Sequence, residues 1–591
     1  MKRYRLFYFL LALFFLLVAI WFVAIPLANL GTSHLRIIEA INTDEGDLLW
    51  LMIQAYRNGN FDLGSSPYGI LYYNTCLILT YMLGWFTQVT DTHMIVITRL
   101  VSFFALIGTS TVVAKYAHRF KMGQWGLVFI LTLLGSQVAI RYGLMLHPDM
   151  LQVFFIALGL YCIASYMEQA KPKWILLAMV MAGLAFSSKY SGLILLPLIG
   201  IALLLKYKMY YKTIPLNVIR AVNIIGSALI FTSIQLLYAS SFAPSITEVG
   251  WLSFVLTVGT IISVFVFVFH VALIFNQRLF QNEWIRFLAI KVFLAFVIGF
   301  VFGLTFCFAA PQGIIDLQFF SSFLAMTNEH VDGFWFRESS GFIGWVEELL
   351  KPNVLKLFWF ILACFGLIWA LLKGQIRLNN WLVPKLIPAY WIVLYFAVLT
   401  FGVNSKFPHY LLPVLPFLFL YAGYVLSQTI ELLRAKLAEN KLELIHFAVF
   451  GILGVILSYQ ALNYRNTEVA KFQNSPRIAI GEWMDENIQE EIFILADKYI
   501  YIPPRQRFKA LTLWGISSQV IEETNPDYLA IQYDIYSQFL DINRVDEYLH
   551  GRELYLDRNQ LYTKLINNTH PGYELVKDLG ENKLYRRREA N

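Results

Sequence analysis

The feature that most constrains this chain is the recurrence of apolar runs about 20 residues long. They fall at roughly 6–30, 94–114, 124–140, 150–167, 174–188, 190–206, 219–239, 251–275, 288–309, 353–373, 386–402, 410–430 and 446–464, about thirteen in all. Each is long enough to cross a hydrocarbon layer of ~30 Å. Inside lipid the backbone must satisfy its own polar groups, so each run is expected to be a helix. The chain is 58% hydrophobic and 14% charged, against roughly a quarter charged in soluble proteins. Most of it therefore belongs in a membrane. The first run follows Lys2, Arg3 and Arg5 and exceeds the roughly 7–15 apolar residues of a cleaved signal, so a retained anchor helix is expected. A net charge of +7, with no basic arm or basic-aromatic groove, gives no sign of a nucleic-acid partner. Cys76, Cys162, Cys307 and Cys364 lie in apolar runs without metal-ligand spacing and read as packing residues.

With the N-terminus inside, the connections after even-numbered spans are "KYAHRFK", "EQAKPK", "KYKMYYK", "NQRLFQNEWIRF", "KGQIRLNNWLVPK" and "RAKLAENK". About 21 Lys and Arg lie on that side and about 7 on the other, so it is expected to be cytoplasmic. The apolar stretch "PYGILYYNTCLILTYMLGWF" is not counted as a span, because counting it would put the basic loops outside. Helices lying along or dipping into the interface are expected there instead. Residues 1–464 thus form a membrane domain with a long first outer loop, 31–93. Residues 465–591, with about 16 basic and 20 acidic residues, form a soluble α/β domain on the outer face. "SPRIAIGEWMDENI" reads as a helix capped at Ser475, "IFILAD" and "YLAIQ" as buried strands, and "YELVKDLGENKLYRR" as a hairpin turning at Gly580.

Three short outer connections carry isolated cations against the charge trend: Arg141 in "RYGLMLHPDM", Lys189 in "SSKYSG" and Lys406 in "NSKFPHY". Any one alone reads equally well as a side chain snorkelling to headgroups. Together they can converge on an anionic group at the membrane surface, and a lipid-linked phosphate is the natural candidate. The acids Asp44, Glu45 and Asp47 in "INTDEGDLLW" lie on the same face. Moving a sugar from phosphate to a hydroxyl needs a base for the hydroxyl proton and positive charge for the departing phosphate. Asp44 is the leading base and Glu45 its helper. Asp149, in "HPDM", is placed to hold an acceptor or a cation, with His147 beside it in a supporting part. A plain solvated acidic loop is the bland alternative.

The order of these motifs resembles the GT-C glycosyltransferases, most nearly glycosyltransferase family 39, the protein O-mannosyltransferases, and the related lipid A aminoarabinose transferases. The resemblance runs from the Asp-Glu pair after the first span through "MIVITRLVSF", "RYGLMLHPDMLQVFF" and "AGLAFSSKYSGLILLPL" to "SKFPHYLLPVLPFL". It implies a mainly α, polytopic GT-C fold with about thirteen transmembrane helices and a C-terminal extracytoplasmic α/β domain. It implies an inverting transfer from a polyprenyl-phosphate sugar donor to a hydroxyl acceptor, with Asp44 as base. Arg141, Lys189 and Lys406 would meet the donor phosphate, with His409 and Tyr410 nearby. The first loop departs from the aminoarabinose transferases. It reads "GSSPYGILYY" and lacks their phosphate-binding Lys and metal-binding Glu, so no metal is assigned and a divalent cation stays open as cofactor. The large mid-chain insert of protein O-mannosyltransferases is missing as well. In the 310–352 loop, His330, Asp332, Trp335 and Arg337 are candidates to meet donor or acceptor. A transporter or flippase of lipid-linked sugars is the main alternative, a non-catalytic assembly protein a lesser one. A transporter should carry its odd charges at mid-span between repeats, and here they cluster toward one face.

Overall fold

The computed structural model describes residues 2–32, 34–63, 68–119, 122, 125–206, 215–239, 250–275, 282–311, 336, 341–373, 384–434 and 439–588. Helix α1 (Lys2–Ala19) continues through a π-helical turn (Ile20–Ala24) into α2 (Ile25–Ala28). The loop that follows holds α3 (Leu35–Ile41), α4 (Thr43–Arg57) and α5 (Leu71–Gly84). Then come α6 (Asp91–Arg119), α7 (Trp125–Leu134), α8 (Gln137–Tyr142), α9 (Asp149–Gln169), α10 (Pro172–Ser188) and α11 (Leu195–Leu205). The membrane part continues with α12 (Leu216–Ala239), α13 (Gly250–Phe275), α14 (Glu283–Ala309), α15 (Phe342–Leu350), α16 (Leu357–Lys373), α17 (Ile387–Gly402), α18 (Leu415–Arg434) and α19 (Glu439–Gln473). Among the described residues seven helices are long and apolar enough to span a membrane, and six shorter apolar helices fall where the remaining runs were read. The chain is a multi-pass membrane protein.

Two close approaches hold the first loop in place. A Cβ on Gly46 would meet the Cα of Glu39 at 2.7 Å, so the missing side chain lets α4 lie directly against α3. A Cβ on Gly69 would meet the carbonyl oxygen of Ser187 at 2.1 Å, which seats the segment before α5 on the C-terminal end of α10. A residue larger than glycine would push either pair of backbones apart.

Helix α19 leads through Asn474 and Ser475 into α20 (Pro476–Asn487), the first element of a sheet unit. Strands β1 (Ile492–Asp497), β2 (Phe508–Leu513) and β3 (Tyr528–Gln532) are parallel. The hairpin β4 (Tyr573–Asp578) and β5 (Asn582–Arg587) joins antiparallel through β5, giving the order β2-β1-β3-β5-β4. Helices α21 (Ser518–Thr524) and α22 (Arg552–Ile566) complete the unit. Leu495, Leu529, Ile531 and Tyr585 pack with Tyr555, Tyr562 and Leu565 of α22. The alternate residues Ile494, Ala496, Ala530 and Leu584 pack with Ile480 and Met484 of α20. With both faces covered, β1 is apolar almost throughout. Gly580 makes the hairpin turn at φ +74°.

The last residue of β1, Asp497, is fully buried. Its carboxylate accepts from Tyr562 OH at 2.6 Å and from the Gln532 N–H at 3.0 Å. Two donors do not offset loss of water, and burial pushes this carboxyl up to about 7. The folded unit therefore binds a proton that the unfolded chain releases near pH 4. The stability this proton supplies is full below about pH 4 and is lost as pH rises through about 7. Three pH units correspond to about 4 kcal/mol. Hydrogen exchange at β1 is expected to quicken from pH 5 to pH 8 beyond the intrinsic rate, and Asp497→Asn should flatten that dependence. An equally steep response in Asp497→Asn would place its origin elsewhere.

Candidate active site

The acids of "INTDEGDLLW" stand on a helix, α4, and helical phase separates them. Glu45 turns inward and is 4% exposed. Its Oε1 and Oε2 take Nε and Nη2 of Arg99 at 2.9 and 3.1 Å, and Oε1 also accepts the Leu146 N–H at 3.0 Å. The remaining nitrogen, Nη1, donates to the carbonyls of Leu27, Ala28 and Leu30 at the end of the first span. One buried ion pair thus ties together the first span, α4, α6 and the chain preceding α9. Asp47 faces the other way and meets Lys498 of the sheet unit at 3.2 Å. Asp44 is the residue before Glu45 on the same helix, and its side chain lies outside the described residues.

A second constellation gathers at the N-terminal end of α9. Lys189, the extended residue that ends α10, donates to Asp149 Oδ1 at 2.7 Å, and both are buried. The other carboxylate oxygen lies 2.5 Å from His147 Nδ1. One turn into α9, Gln152 fixes the bend by donating to the Lys189 carbonyl and to Ser191 Oγ, both at 2.8 Å. The Lys189 ammonium sits 5.2 Å from the ring centre of Tyr68 and 5.1 Å from that of Tyr410. Tyr142 OH and His409 Nδ1 are 3.0 Å apart, and the Arg141 guanidinium lies 6.0 Å from the Tyr142 ring. Lys189, Asp149, His147, His409 and Tyr410, read separately from the sequence, are therefore joined by direct contacts, and Arg141 stands beside Tyr142, which meets His409. Lys406 is three residues from His409, and its aliphatic chain crosses Gly344 of α15, where a Cβ would meet Cε at 2.5 Å. His330, Asp332, Trp335 and Arg337 lie outside the described residues.

Four residues the sequence reading passed over belong here: Arg99, Tyr68, Tyr142 and Gln152. Arg99 carried a signal, because an arginine within an apolar run is expensive unless a buried acid answers it. The others are polar groups that only tertiary contacts single out.

His147, Asp149 and His409 each offer a ligand atom, all within 4.8 Å of one another. Asp149 already neutralises Lys189, and His409 Nδ1 is engaged by Tyr142. A divalent ion there would stand against the ammonium in a buried setting, where like charges repel strongly. The cluster is a candidate cation site to which no ion is assigned.

Residues 75–238 match the model of the family described as dolichyl-phosphate-mannose-protein mannosyltransferase. No curated protein matches the chain. Among solved structures, ArnT from Cupriavidus metallidurans bound to undecaprenyl phosphate is similar over 97% of this chain and 97% of its own, at 12% identity and a TM-score of 0.43. The oligosaccharyltransferase AglB from Archaeoglobus fulgidus, in complex with an inhibitory peptide and a dolichol-phosphate, is similar over 89% of this chain at 13% identity and a TM-score of 0.41. The chain spans 66% of that archaeal protein's length. The family match falls on the segment carrying Arg99, Arg141, His147, Asp149 and Lys189.

Proposed function

We propose that this chain is an inverting membrane glycosyltransferase that moves a sugar from a polyprenyl-phosphate donor to a hydroxyl acceptor on the extracytoplasmic face. The observation that carries the reading is the convergence of Lys189, His409 and Tyr410 around one buried bend, with Arg141 beside Tyr142, the partner of His409. The first-loop segment through Tyr68 and Gly69 packs against it. The family model matched over this segment supports glycosyl transfer. The lipid phosphates bound by ArnT and AglB suggest the donor class for this chain.

In this reading the acceptor oxygen attacks the anomeric carbon as the bond from that carbon to the phosphate oxygen breaks. Asp44 takes the hydroxyl proton. The phosphate leaves on its lipid with the bonding electron pair, and Arg141, Lys189 and Lys406 stabilise its charge. Asp149 holds Lys189 in place, since an unpaired ammonium would move toward water. Arg141 is exposed, which leaves it open to a ligand at the surface. The charge pattern of the loops supports an extracytoplasmic position for this face and for the sheet unit.

The test is release of polyprenyl phosphate from radiolabelled polyprenyl-phosphate mannose and its pentose counterpart by the purified protein. Arg141→Ala is expected to weaken donor use roughly 10- to 150-fold, the worth of one charge-assisted contact of about 1.5–3 kcal/mol. Neither donor being consumed by the wild-type protein would overturn the reading. Arg141→Ala matching wild type would return that residue to the lipid surface.

A further inference from the structure

Between the first loop and the sheet unit lies a cavity of about 830 Å³. Its floor is the face of α4 that carries Gly46, Asp47 and Trp50, and its far wall is the chain leaving β1 together with β2. The unit is held across it by three contacts: Arg36 to the Ile502 carbonyl at 3.4 Å, Arg477 to the Ala40 carbonyl at 3.2 Å, and Lys498 to Asp47.

The charges lining the cavity decide what it can hold. Arg36, Arg57 and Lys498 face Glu39, Asp47 and Asp91, three of each sign. They are paired locally, with Arg57 Nη2 at 3.0 and 3.1 Å from the two oxygens of Asp91. A site for a phosphorylated or strongly anionic ligand would carry surplus positive charge. This one carries none in balance. An acyl chain would want apolar walls throughout, and here Leu35, Val89, Met94, Ile95, Ile500 and Ile502 are interspersed with six charged side chains. A peptide added as a strand would use the hydrogen-bonding edge of β2. What lines the cavity is Ala510 and Thr512, alternate residues that share one face of the strand.

Three aromatic residues also line it: Trp50, half exposed, with Tyr56 and Tyr499. Tyr499 has φ +72°, a left-handed conformation costly for a bulky L-residue. Its ring is fixed with the Arg477 guanidinium 4.7 Å from its centre and Trp514 edge-on at 5.2 Å. Strain of this kind persists only where surrounding structure over-determines it, and it concentrates at binding sites.

Flat aromatic faces beside paired carboxylates and guanidinium groups suit a neutral ligand that is polyhydroxylated, with C–H faces to cover and hydroxyls that both donate and accept. We infer that this cavity binds the acceptor and that the acceptor is an uncharged glycan. The inference rests on the transferase reading, and it places the receiving hydroxyls against α4, the helix that carries Asp44.

The experiment is an immobilised panel of neutral oligosaccharides, phosphorylated oligosaccharides and Ser/Thr peptides, probed with the full-length protein in detergent. Neutral oligosaccharides should be retained, and Trp50→Ala and Tyr499→Gly should each lose at least ten-fold of that retention. Glycine accepts the left-handed backbone, so Tyr499→Gly removes the ring without adding strain, and an unchanged thermal melt reports an intact fold. Retention of peptides or phosphorylated glycans in place of neutral ones overturns the inference. So does equal retention by the variants, or no retention at all. If neutral glycans are retained through Trp50 and Tyr499 while no polyprenyl-phosphate donor is consumed, the transferase reading fails and the glycan site stands.

Discussion

An Arg99→Ala chain is expected to lose the folded state. The substitution leaves Glu45 buried and uncompensated and strips three carbonyls at the end of the first span of their shared donor. Removing one partner of a buried pair costs about 3–5 kcal/mol, a large share of the roughly 5–15 kcal/mol that holds a typical protein together. Size-exclusion profile and melting temperature of the extracted protein are the measurements. Glu45→Ala should fall in the same range. The double change Glu45→Leu with Arg99→Leu should recover part of the loss, since no charge is then stranded. Recovery will be incomplete because the carbonyls stay unserved. An Arg99→Ala protein that melts like wild type would show that the pair does not anchor α4.

The second large effect is expected in turnover. Asp44→Asn keeps the shape of the side chain and removes its capacity to take a proton. A general base typically contributes about 10²–10⁴-fold, which is roughly 3–5 kcal/mol in the barrier. Donor binding should survive, because the cations around the Lys189 bend are untouched. Glu45→Gln should show the opposite profile, with a loss of stability larger than any direct loss of rate. The contrast separates the two neighbours, provided each variant is checked for folding before its rate is read. Full activity in Asp44→Asn would remove the base from the proposed mechanism.

The membrane architecture was open to a reader of the sequence because lipid imposes a length and a polarity on every crossing. Each of the thirteen apolar runs coincides with a helix. The cations at positions 141 and 189 were also legible, standing where the charge trend disfavours them. What hid was pairing. That Lys189 spends its charge on Asp149, and Glu45 on Arg99, depends on residues 40 and 54 positions apart. The stretch at Asp44 read as a loop, in which adjacent acids can point anywhere. On a helix two residues' separation is about 200°, so Glu45 faces the core while Asp47 faces Lys498 of the sheet unit. Strand β2, "FKALTL", escaped notice because it is an edge strand with a half-exposed pattern. The cavity against it is a product of contacts such as Lys498 with Asp47, 451 residues distant, and no local pattern encodes that.

Helix α19 has a consequence for reach. Its 35 residues measure about 52 Å at 1.5 Å each, against a hydrocarbon thickness of about 30 Å. It packs along the first span, where Arg465 donates to the Phe22 carbonyl at 3.2 Å, and runs unbroken to within two residues of α20. Part of the surplus lies at each end, and the nine residues from Arg465 to Gln473, about 14 Å at that rise, work as a ruler on the side of the sheet unit. They set how far the sheet unit stands from the end of the apolar run, and under the proposed transfer they would set how far from the lipid surface an acceptor is presented.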